Sequence, residues 1–139
     1  MRAIFFVFVL CFSLNNLNAQ VIGKIFNKDF ANSEFGQVLN SVEVDNASLT
    51  EMLISSGEYI MFNIETGAIR ALNLNRESVQ GTAVTNEEIF YKMSTSQVYL
   101  LLQKGTDKVT KIERRPQTLT LTNGEFTLEM VDPCPPYCH

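Results

Sequence analysis

The chain has 139 residues, 45% hydrophobic and 19% charged, with a net charge of −4 at pH 7 and one histidine. That balance argues against a generic nucleic-acid binder, whose electrostatic footprint is a basic face, and a lone histidine excludes a His-rich catalytic metal centre and disfavours a Ser-His-Asp arrangement. No phosphate-binding Gly-Lys-Ser/Thr loop, dinucleotide glycine fingerprint or nucleophile elbow occurs.

Arg2 precedes an uncharged, largely apolar run over residues 3–14, which leads to Leu17-Asn18-Ala19. A charged start, a short apolar centre and a small residue at the cut define a secretory signal peptide over residues 1–19. The run is too short for a bilayer, which takes about 20 apolar residues, so no transmembrane segment is expected after cleavage behind Ala19. Cys11 lies inside the run and leaves with it. The 120 residues that remain carry ten basic and fifteen acidic side chains, a net charge of −5. They suit a single α+β domain over residues 20–132 and a cysteine-bearing tail over 133–139.

Residues 21–28 carry Val21, Ile22, Ile25 and Phe26 and read as a first strand with a bulge at Gly23, while 29–36 are polar and turn-like. Strand patterning returns over 37–44 through Val38, Val42 and Val44. Ser48 and Glu51 have the spacing of a capping box, and Leu49, Met52 and Leu53 give the short helix that follows an apolar stripe, ended by Gly57. Asn46-Ala47-Ser48 also matches an N-glycosylation acceptor. Alternation over 58–65, the turn residues Thr66-Gly67 and a further run over 68–74 predict a hairpin. After a polar connection over 73–81, the Thr85–Glu88 spacing predicts a second short helix bearing Ile89, Phe90 and Met93. Glu87 and Glu88 then belong to its first turn, where negative charge complements the helix dipole.

Val98, Tyr99, Leu100, Leu101 and Leu102 form an almost unbroken apolar run, which predicts a central strand over 97–103 covered on both faces. Residues 109–115 predict a strand with basic exposed positions, the charge that keeps a sheet edge from associating, and Pro116 ends it. Asn123-Gly124 fits a two-residue type I′ turn that sets Leu121 opposite Phe126 and Leu119 opposite Leu128. The other face of that hairpin carries Thr118, Thr120, Thr122, Glu125 and Thr127, for which β-propensity accounts. The expected fold is α+β: about seven mainly antiparallel strands in one open or partly closed sheet with two short helices, the alternative being a β-sandwich.

Charge is unevenly placed. Residues 29–69 hold seven acids and no Lys or Arg, whereas Lys104, Lys108, Lys111, Arg114 and Arg115 supply half of the basic residues left after signal cleavage. Either the two segments are neighbours that neutralise each other, or the five basic residues form a contact surface that steers a charged partner.

The tail, Cys134-Pro135-Pro136-Tyr137-Cys138-His139, gathers the reactive side chains. Two cysteines with three residues between them in an exported chain predict a local disulfide, worth roughly 2 kcal/mol for so small a ring and expected to stiffen an exposed terminus. The segment also resembles the Cys-x-x-Cys-His motif that attaches c-type haem, with one extra residue between the cysteines. That resemblance implies haem on Cys134, Cys138 and His139, with a methionine such as Met61, Met93 or Met130 as the distal ligand. The same three residues suit copper or zinc as soft ligands. The expected function is an exported, non-catalytic binding or interaction protein, secreted or periplasmic, that meets another protein or an extracytoplasmic ligand. A metal- or haem-binding tail is the alternative, and a small hydrolase using paired carboxylates is the third.

Overall fold

The computed structural model describes residues 19–82, 84–129 and 131–138, so the expected signal peptide up to residue 18, with Ala83, Met130 and His139, lies outside the described residues. The element order is β1 (Lys24–Asn27), α1 (Lys28–Phe35), β2 (Asn40–Asp45), α2 (Asn46–Ser56), β3 (Tyr59–Glu65), β4 (Ala68–Leu72), β5 (Ser78–Gln80), β6 (Phe90–Ser94), α3 (Thr95–Lys104), β7 (Val109–Arg114), β8 (Leu119–Asn123), β9 (Phe126–Glu129) and β10 (Asp132–Cys134). The class is α+β and mostly sheet. The strands form two five-stranded antiparallel sheets, ordered β1-β9-β8-β7-β2 and β10-β6-β3-β4-β5, in place of the single sheet expected.

Two residues explain how the sheets are joined. Asp45 and Ser94 each end a strand and cap the helix that follows. Asp45 accepts from the Ser48 backbone N–H at 2.9 Å and from its hydroxyl at 2.6 Å, which satisfies a donor of the first helical turn. Ser94 instead accepts from the Ile22 N–H at 2.8 Å. Asp45 lies opposite Val109, the first residue of β7, and Ser94 lies opposite Tyr59, the first residue of β3. The next residue of each repeats the relation: Asn46 N–H donates to the Lys108 carbonyl at 3.0 Å and Thr95 N–H to the Glu58 carbonyl at 2.9 Å. The order β2-α2-β3-β4 thus recurs as β6-α3-β7-β8, and each half gives its first strand to the other half's sheet.

The inner faces of both sheets share one core. Ile60, Phe62, Tyr91 and Met93 come from the second sheet, Ile112, Leu119, Leu121 and Leu128 from the first, and Leu49, Leu53, Val98 and Leu101 from α2 and α3. The outer face of the second sheet holds a smaller apolar cluster, Met61, Leu72, Phe90 and Cys134. The outer face of the first sheet is polar yet buried: Glu113, Thr120, Thr122 and Thr127 lie on it. Part of that face is met by α1, which contacts β1 and β9.

Four sequence expectations are corrected. Residues 28–35 form α1, not a turn: Asn27 caps the helix through the Asp29 N–H at 2.9 Å, and Phe30 and Phe35 pack on Phe26 with ring centroids 5.4 Å apart in both pairs. Residues 97–103 belong to α3, because Val98 and Leu101 face the core at helical spacing while Leu100 is 37% exposed. The Thr85–Glu88 spacing does give a carboxylate bond to the Thr85 N–H, 3.0 Å, but closes a turn; Phe90 and Met93 then lie in β6, not in a helix. β7 is an interior strand between β8 and β2, so its basic residues do not guard an edge.

The last hairpin also shifts by two. Leu121 faces Leu128 and Asn123 faces Phe126. An even shift leaves every side chain on its expected face. Asn123 is drawn into the ladder because its amide holds the preceding loop, donating to the Asp107 and Val109 carbonyls at 3.1 and 3.2 Å and accepting from the Asp107 N–H at 3.0 Å.

Candidate functional site

The tail does not dangle. Cys134 is the last residue of β10, opposite Phe90 of β6, and it is bonded to Cys138 with a Cα–Cα separation of 4.8 Å. The disulfide is as expected from the sequence, but Cys134 is fully buried against Met61, Leu72 and Phe90, with Val84 and Cys138 packed around them. The bridge therefore covers the smaller core. Arg76, in a left-handed turn with φ +62°, reaches over it from the 73–77 turn. One Nη of Arg76 donates to the Cys134 carbonyl at 3.3 Å and to Cys134 Sγ at 3.4 Å; the other donates to the carbonyls of Thr85 and Glu88, both at 2.9 Å.

In this oxidised form neither sulfur is a free ligand for copper, zinc or haem. Met61 and Met93 are both buried core residues, and Met130 and His139 lie outside the described residues. Among the described residues, no group of three His, Cys, Asp or Glu side chains is arranged to hold a metal ion. Two carboxylates do converge, but on an arginine: Glu65 and Glu88 lie 2.5 and 2.6 Å from one nitrogen of buried Arg70. The guanidinium holds the Glu88 carboxyl below the usual carboxylate range, chiefly through its hydrogen bond. That geometry is an ion-pair cluster and not an acid–base pair.

The five basic candidates have different surroundings, and one of them is buried. Lys111 lies opposite Glu43, 3.8 Å away across the β2–β7 ladder, so the acidic and basic segments are neighbours there. Arg114 stacks over Tyr91, 5.2 Å from the ring centroid. Lys104 and Lys108 are exposed near the C-terminal end of α3, with Lys104 over the Phe126 ring. Arg115 is 1% exposed, so it is no surface contact. Its guanidinium donates to Thr120 Oγ1 at 3.0 Å and to the Gly36 carbonyl, and pairs with Glu113 at 3.4 Å. Thr120 and Thr122 donate to the same Glu113 carboxylate, at 3.3 and 2.7 Å. Thr120 and Thr122 thus belong to the hydrogen-bonding shell of a buried ion pair, with Thr127 bonded to Thr122 at 2.9 Å.

Arg115 also builds a concave site that the sequence did not reveal. By binding the Gly36 carbonyl it ties the end of α1 to the turn after β7. Between these walls opens a depression of about 530 Å³, lined by Glu34, Phe35 and Gly36 on one side, Pro116, Gln117 and Thr118 on the other, and Glu129 and Val131. Its volume falls in the range of small-ligand sites. The lining offers carboxylate, amide and hydroxyl acceptors and, among the described residues, no Lys or Arg, which suits a donor-rich or cationic group. Only the helix at 28–35, which the sequence reading missed, reveals that residues 34–36 and 116–118 meet.

No protein-family model, curated protein or solved structure matches the chain. Its class rests on its own geometry: an α+β protein of two antiparallel sheets that exchange strands. Among the described residues no helix is long and apolar enough to cross a membrane.

Proposed function

We propose that this chain is an exported, non-catalytic binding protein, secreted or periplasmic, whose contact site is the depression between α1 and the turn after β7. The observation that carries the reading is that depression, with walls fixed by Arg115 and a lining of acceptors beside Phe35 and Pro116. Export is supported by the signal pattern over residues 1–19 and by the disulfide, a bond that persists in oxidising compartments. The partner is a protein or extracytoplasmic ligand that presents a donor-rich or cationic group.

The test fills the site. Thr118→Trp and Glu34→Lys are compared with the parent chain in crosslinking from the host's extracytoplasmic fraction. The binding reading expects both variants to lose a partner that the parent captures, with unchanged thermal unfolding. Identical capture by all three chains removes the depression as the contact site. Export is checked separately, since the mature chain should start at Gln20; a chain retained with Met1 in the cytoplasm would contradict it.

A further inference from the structure

Among the described residues, no carboxylate lies within ion-pair distance of Arg76: the Glu88 carboxylate is on Arg70 and Thr85, and the Glu77 carboxylate accepts from Asn73 at 2.7 Å. The Arg76 guanidinium is held by three neutral carbonyls, one sulfur and the face of Phe90, 5.6 Å from the ring centroid. A partly buried cation favours an anion at its side. Among the described residues, the one atom it touches that can become anionic is Cys134 Sγ.

We propose that Cys134–Cys138 is a thiol–disulfide exchange site whose substrate is a dithiol, with Arg76 stabilising Cys134 as the leaving thiolate. The direction follows from burial. Cys134 is fully buried and Cys138 is half-buried, so an incoming thiolate attacks Cys138 Sγ. A bond forms between the substrate sulfur and Cys138, the Cys134–Cys138 bond breaks, and its electron pair stays on Cys134 Sγ beside Arg76. The second substrate sulfur then attacks the first, which closes the substrate disulfide and frees Cys138, which takes up a proton. Two electrons have passed from the dithiol to the cysteine pair. A leaving sulfur of lower pKa departs faster, and a stabilised reduced form makes the pair a stronger oxidant. The exchange is stoichiometric, since it leaves the cysteine pair reduced; it adds to the non-catalytic binding reading and does not depend on the depression beside α1, so either reading can fail alone.

The experiment uses the full mature chain. In Cys138→Ser, the ultraviolet absorbance of the Cys134 thiolate is followed against pH, and its midpoint is expected below the ordinary thiol value of about 8.5. Adding Arg76→Gln should raise the midpoint, whereas Arg76→Lys should keep it low. A midpoint at or above the ordinary value in Cys138→Ser overturns the proposal, because burial without a cation raises a thiol. Reduction of the parent disulfide by dithiothreitol should slow several-fold in Arg76→Gln and recover in Arg76→Lys. Equal rates in the three chains also overturn it. If Arg76→Gln does not fold, the Cys138→Ser titration still decides.

Discussion

Arg115 is the residue on which one whole face depends. It and Glu113 are both buried, so removing either leaves a charge without its partner. Arg115→Ala should destabilise the protein by about 3–5 kcal/mol in urea unfolding, more than Lys111→Ala, whose pair with Glu43 is exposed and worth at most about 1 kcal/mol. Equal losses would contradict the assignment. Acid should act through two surface carboxyls. Hydrogen bonds from Ser48 hold Asp45 below the usual range, and Arg70 does the same for Glu88. A carboxyl lowered in the folded state gives stability that is complete above its unfolded value, near 4, and is lost as pH falls through the folded one. The unfolding midpoint should therefore drop in acid, and less steeply in Asp45→Asn and Glu88→Gln. The Arg115–Glu113 pair was not legible in the sequence, because basic residues at 104–115 look alike until a fold buries one of them.

At the level of elements, the helices hold the loops of their neighbours. Asn46 donates to the Asp107 carbonyl at 2.8 Å and Thr95 to the Gly57 carbonyl at 2.8 Å, so each helix start fixes the loop behind the other helix. The same bond engages the Asn46 amide nitrogen that a glycan would need. Gly105 sits against Asn123 so closely that an added Cβ would lie 2.0 Å from its Oδ1. Gly105→Ala should therefore be destabilising, and Asn123→Ala in the same chain should relieve part of the loss, a coupling that a double-mutant cycle measures. Additive losses would refute the contact. The hairpin at 59–72 was readable because alternation and Thr66-Gly67 agree, and both turn residues have positive φ, 49° and 77°. The apolar run in α3 was not, since continuous Leu and Val give the same pattern in a covered strand and a covered helix. α1 was hidden for the opposite reason, as its eight residues are mostly polar and are stabilised by aromatic contacts to Phe26.

For the molecule as a whole, the exchanged strands make the halves inseparable. Among the described residues β2 has its only sheet partner in the second half, and β3 is flanked by β6. Unfolding should be one transition, coincident by near- and far-ultraviolet dichroism. A fragment of residues 20–82 alone should stay unfolded, and two separate transitions would show that the halves are independent. The α+β class was legible because strand and helix signals both occur. The repeat was not, because its second copy was read with helix and strand interchanged at 85–103. Residues 20–24 and Asp132 line one depression, which brings the two ends of the folded body together. The two β-α-β-β units, residues 40–72 and 90–123, behave as an exchanged pair written as one polypeptide. Its covalent order is then negotiable: a version joined across those ends and opened within the 73–89 connection should reassemble the same two sheets.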